Sequence, residues 1–166
     1  MQGFQRSQLS VCLGLNAILM TLMLPGGPVE IRDFSAYSTT TLTLYKLFLS
    51  ALVTGTLLTI ALCSKQYQGA GAGSIISGIC YLSVHAVGLL AIFLFSPNPA
   101  TAILLTLELV ACIAAISLIF LGKKLLHYEK SYAGAQNTLS AFQWLIVIAL
   151  ANCLVIFTSY LGMVPD

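Results

Sequence analysis

Four polar side chains stand inside long apolar runs, and their types decide what chemistry this sequence could support. His85 and Glu108 form the titratable pair, and Asn16 and Asn152 are the amides. A carboxylate at the centre of a bilayer costs roughly 2.5–3.5 kcal/mol on insertion scales. An acid retained at that cost, with an imidazole that changes charge near neutral pH, suits proton acceptance or ligand binding. The same groups can instead act as interhelical hydrogen bonds. For Asn16 and Asn152 that packing role is the simpler one.

Other chemistries lack their parts. His85 and Glu108 supply two ligands, without the HxxxH or HExxH spacing that completes a metal set, so no metal is expected. A lone histidine could ligate one tetrapyrrole, yet nothing else points to a cofactor and none is expected. Cys12, Cys63, Cys80, Cys112 and Cys153 lie in separate apolar runs without a CxxC pair. They read as small packing residues and give no disulfide framework. Ser, Thr and Tyr lack an activating neighbour, so no catalytic residue is assigned.

The elements that must position the four polar groups follow from composition. Of 166 residues, 58% are hydrophobic and 7% charged, with a net charge of +2. A soluble domain carries about 25% charged residues, so this chain cannot cover a core with a charged shell. The mean hydropathy of +0.96 and the continuous apolar runs predict an all-α, polytopic transmembrane helical bundle forming one domain. Alternating β-barrel strands are excluded, and the absence of basic patches excludes nucleic-acid binding.

A crossing needs about 20 apolar residues. Five runs qualify, at about 8–24, 41–63, 74–95, 100–122 and 139–162. The first is the shortest, which leaves four spans plus a re-entrant first segment as the alternative. That run lacks a small-x-small cleavage site before Pro25 and is therefore expected to be retained. Gly69-Ala70-Gly71-Ala72-Gly73 reads as a connection before the third span.

Counted from the ends of these runs, Asn16 and Glu108 lie about 12 Å deep, and His85 and Asn152 about 15 Å deep. The short Ser96–Pro99 turn makes the third and fourth runs antiparallel neighbours, so His85 and Glu108 can face each other. Ser74, Gly78, Tyr81, His85 and Gly88 share one stripe. Thr101, Glu108, Ala111, Cys112 and Ala115 share the other. Both stripes are rich in small residues, which lets backbones approach closely.

Orientation follows from the basic residues of short loops. Arg6, Lys65, Lys123, Lys124 and Lys130 fall on one side, against Arg32 and Lys46 on the other. This predicts a cytoplasmic amino terminus and an external carboxyl terminus. Glu30, Arg32 and Asp33 then lie in an outer loop, where they form either an ion-paired cap or a docking surface.

The stretch Leu24-Pro25-Gly26-Gly27-Pro28-Val29-Glu30-Ile31-Arg32-Asp33-Phe34-Ser35, with Ser96-Pro97-Asn98-Pro99 before a Glu-bearing span, resembles small multi-spanning proteins of Gram-positive bacteria that carry no assigned activity. The resemblance implies a bacterial plasma membrane and carries over no site.

Two functional classes follow from the residues: a binding or transport protein for a proton, ion or small solute, and a structural accessory subunit of a larger membrane complex. Expected partners are membrane lipids and either another membrane protein or a second copy. A cysteine tag at Asn98 should label from outside, and one at Tyr132 only after permeabilisation. The reverse pattern would invert the topology.

Overall fold

The computed structural model describes residues 2–23, 29, 34–35, 37–65, 67–90 and 101–131. These residues are all-helical, without strands: α1 (Gln2–Leu22), α2 (Thr39–Ser64), α3 (Ala70–Leu89) and α4 (Ala102–Ser131). The expected span 139–162, with Asn152 and Cys153, lies outside the described residues, as do Glu30, Arg32 and Asp33.

Local chemistry sets the helix ends. The Ser38 hydroxyl accepts the Thr41 amide at 3.2 Å and opens α2, the usual role of an N-cap serine. Gly69, at φ +94°, turns the chain into α3, a conformation that favours glycine. At α4 the Thr101 hydroxyl accepts the Leu104 amide at 3.2 Å.

Burial follows a three-four spacing on each helix. The inward positions are Arg6, Leu9, Leu13, Asn16 and Met20 on α1, and Thr56, Thr59 and Cys63 on α2. On α3 they are Gly71, Ser74, Gly78, Tyr81 and His85. On α4 they run unbroken through Leu104, Glu108, Ala111, Ala115, Leu118, Gly122, Leu125 and Glu129. A repeat near 3.5 residues keeps one seam facing its partner and packs helices almost parallel or antiparallel.

The contacts define an up-down-up-down bundle. Arg6 meets both the end of α2 and the end of α4. Leu19 and Met23 cluster with Leu104 and Ala111. Gly73 lies against Thr59, Gly71 against Leu126, and Gly78 against Ala115 and Ile119. The α3–α4 interface is the most extensive.

The outer surface is apolar, including Val11 at 68%, Ile76 at 63%, Ile103 at 68% and Phe120 at 67% exposure. Large hydrophobic residues covering the outside while polar groups lie inside match a lipid solvent. Among the described residues, α2, α3 and the Ala102–Glu129 part of α4 are long and apolar enough to cross a membrane. Helix α1 falls short because its first two turns carry Gln2, Gln5, Arg6, Ser7 and Gln8.

Three boundaries differ from the sequence reading. The glycine-alanine stretch expected as a connection is the first turn of α3, because its glycines are contact positions against α4 and α2. Helix α3 ends at Leu89, where the Leu90 amide closes onto Ala86. Helix α4 continues past Gly122 to Ser131, since no Gly or Pro interrupts Lys123–Ser131.

Two glycine replacements separate packing from propensity. A Cβ at Gly71 would lie 2.6 Å from the Leu126 backbone nitrogen, whereas one at Gly14 would meet nothing within 4 Å. Gly71→Ala should therefore cost about 1–3 kcal/mol through forced separation of α3 from α4. Gly14→Ala should stabilise by about 0.5–1 kcal/mol. Unfolding in detergent measures both, and equal effects would refute the close approach.

Candidate functional site

In an apolar solvent a polar group is informative when its own helix cannot satisfy it. Most hydroxyls here fail that test. Thr56 donates to the Leu52 carbonyl, Thr59 to Gly55, Ser74 to Ala70 and Thr106 to Ala102, each at 2.7–2.8 Å. Such back-bonding to the preceding turn leaves a hydroxyl no need for another partner.

Asn16 and His85 behave differently. Asn16 is 0% exposed and donates from Nδ2 to the Cys12 carbonyl at 2.8 Å. Its Oδ1 has no hydrogen-bond partner among the described residues. His85 is 3% exposed, and its Nε2 also lacks one there. Its ring stacks on Tyr81, with centroids 6.4 Å apart and planes 14° apart. The fully buried Tyr81 hydroxyl pairs with Thr56 Oγ1 at 2.8 Å.

Glu108 is 4% exposed on the facing seam of α4. Its carboxylate packs against Gly88, where Oε1 would be 2.6 Å from a Cβ. Gly88 lies three residues beyond His85, so the expected His85–Glu108 meeting is a juxtaposition on adjacent turns. His85 Nε2 itself receives no hydrogen bond from this arrangement. Thr56, Tyr81, His85 and Glu108 thus bring polar groups of α2, α3 and α4 together in the interior, and Asn16 is a buried polar group of α1. Of the expected residues, Glu108 lies one turn from His85 across the α3–α4 seam, and Asn16 is buried on α1 with its amide bonded to its own helix.

A second polar group closes the other end of the bundle. Arg6 Nη2 meets Glu129 Oε1 at 3.3 Å, with both side chains about 5–6% exposed. Arg6 Nη1 donates to the carbonyls of Leu62 at 3.5 Å and Tyr67 at 3.2 Å. Glu129 Oε2 accepts the amides of Gly69 and Gly71, each at 3.3 Å. The carboxylate thereby caps the amino terminus of α3, which has no side-chain cap of its own, and meets the positive end of that helix. The guanidinium takes carbonyls at the end of α2.

In the sequence Arg6 counts as a basic residue that sets orientation, and no role follows there for Glu129. The three-four repeat of α4, followed past Gly122, leads to Glu129, and that of α1 leads back to Arg6. Lys65, Lys123, Lys124 and His127 are exposed at this same end, and Lys46 is exposed near the other. Cys12, Cys63, Cys80 and Cys112 are free thiols. No group of three His, Cys, Asp or Glu able to hold a metal occurs among the described residues.

Breaking a buried ion pair from one side strands the other charge and costs about 3–5 kcal/mol. Arg6→Met should lose that amount, and adding Glu129→Leu should recover most of it. A double-mutant cycle by unfolding in detergent measures the coupling; simple additivity would show that the two side chains act independently.

A family model described as "Domain of unknown function (DUF8051)" matches residues 5–138. No curated protein and no solved structure matches the chain. The matched stretch holds both polar groups in full and stops short of the apolar run 139–162. It covers well over half of the sequence, and the chain therefore belongs to the DUF8051 family.

Proposed function

We propose that this protein is a small, non-enzymatic integral membrane protein that binds or transports a proton, ion or small solute at its interior polar layer. In this reading α1 is a further crossing and 139–162 another, making five. The end bearing Arg6, Lys65, Lys123 and Lys124 faces the cytoplasm of a bacterial plasma membrane. The observation that carries the reading is that two buried atoms, Asn16 Oδ1 and His85 Nε2, have no hydrogen-bond partner among the described residues. Leaving such a group unsatisfied costs about 1–3 kcal/mol, which a ligand supplying the missing hydrogen bonds would offset.

A second reading, an accessory subunit of a membrane complex, is favoured by a different feature. An apolar groove of about 420 Å³ runs between α1 and α2, lined by Gly14, Ala17, Ile18, Thr21, Val53 and Leu57. Gly14 and Gly55 have open space where a side chain would lie, and small residues on a lipid-facing surface permit close helix association.

Conservative variants distinguish the two. Glu108→Gln and His85→Asn should keep the thermal unfolding of wild type yet lose flux of protons, sodium or potassium in vesicles, or lose what co-purifies in native mass spectrometry. Glu108→Leu should also destabilise by about 1–3 kcal/mol. Wild-type flux and retention in both conservative variants would remove the layer from the function and leave docking.

A further inference from the structure

Resting on that reading of the layer, we propose that the species taken up is the proton. It arrives from the end of the bundle opposite Arg6 and Glu129, making the layer a one-sided binding site and not part of a continuous pore.

The donor set favours a proton. Hard divalent cations take six or more oxygen ligands, and zinc takes three or four nitrogen, sulfur or carboxylate ligands. Here the described residues offer one imidazole, one carboxylate and one amide oxygen, while the Thr56 and Tyr81 hydroxyls are engaged with each other. A proton needs a single lone pair. On uptake a hydronium ion breaks one O–H bond and leaves as water, while an N–H bond forms at the imidazole lone pair. The charge gained lies one turn from the Glu108 carboxylate.

The two ends of the bundle are not equivalent. His85 is four residues from the end of α3 at Leu89, and Glu108 six from the start of α4 at Ala102. These spacings are about 6 and 9 Å along a helix. In the other direction His85 is fifteen residues from Ala70, and Glu108 twenty-one from Glu129, about 22 and 32 Å.

A cavity of about 320 Å³ lined by Arg6, Ser10 and Cys63 lies at the far end of that longer path, and its middle is tightly packed. Leu9, Leu13, Ala115 and Leu118 are 0% exposed and Leu125 is 1% exposed. A Cβ at Gly122 would lie 3.1 Å from the Gly71 carbonyl, and one at Gly78 3.1 Å from the Ala115 carbonyl. The α3 and α4 backbones therefore touch, and the Arg6–Glu129 group caps the stack. At Gly88 the facing atoms are those of the Glu108 carboxylate instead, so the α3–α4 seam turns polar toward the other end. Around His85, Tyr81 stacks on the imidazole from α3 and is itself bonded to Thr56 of α2, while Glu108 of α4 lies against Gly88, three residues beyond His85.

The chain has two histidines, and His127 is exposed on α4 away from the layer. In His127→Gln protein labelled with 15N-histidine, one imidazole signal remains, that of His85. Solid-state NMR is recorded in vesicles of sorted protein orientation while the pH is varied on one side at a time.

The expected result is titration of His85 when pH changes on the side of the α3 carboxyl end, and no response from the Lys123–Lys124 side. Glu108→Gln should move the midpoint by about one pH unit or more. A response from the Lys123–Lys124 side overturns the one-sided route. No titration between about pH 4 and about pH 9 from either side, or with the gradient collapsed, overturns the proton. If sodium or potassium flux still depends on Glu108 in that case, the layer keeps its function with another ion. If flux and retention are also wild type in Glu108→Gln, the reading of the layer as functional falls with it.

Discussion

The buried pair of Arg6 and Glu129 is the constraint from which the rest of the arrangement follows. It joins the first turns of α1 to the last of α4, and through backbone hydrogen bonds it also holds the end of α2 and the start of α3. A three-four seam can slide by a heptad at little cost, since one buried aliphatic layer resembles the next. A charge pair cannot, because a shifted register strands both charges in a poorly solvating interior. Here one pair fixes the register of four helices at a single level.

With that end fixed, close contact propagates along α3 and α4. Gly71, Gly78 and Gly122 bring backbone against backbone, and the aliphatic positions of α1 fill the remaining seam. The contact changes character at Tyr81, where a phenol reaches α2, and again at Gly88, where a carboxylate occupies the space glycine leaves. The bundle is therefore asymmetric along its axis, with a buried ion pair at one end and the buried His85 and Glu108 nearer the other.

Apolar length made α2, α3 and α4 legible from sequence, because a long uninterrupted run in a chain with few charges has few other solutions. The inward stripe of α3 was also legible, since small residues at helical spacing mark a close seam. The boundaries were less so. Reading Gly69–Gly73 as a connection gave weight to glycine's flexibility, whereas close helix contact decided those positions. Ending the fourth span at Gly122 discarded the turns that carry Glu129, and with it the reason Arg6 faces inward. His85 and Glu108 were correctly placed on facing helices.

The polar groups of the interior differ in what they reveal. A serine or threonine in a membrane helix returns its proton to the preceding turn, as Thr56, Thr59, Ser74 and Thr106 do. Its presence then carries little information about function. An amide has both a donor and an acceptor to satisfy, and the helix can take only its donor, which is the state of Asn16. An imidazole reaches too far from its own backbone to be satisfied there, which is the state of His85. The residues that a helix cannot satisfy alone are thus the ones whose retention needs a cause outside the helix. Among the described residues they include Asn16 and His85 in the interior and Gln5, through its Oε1, beside the ion pair.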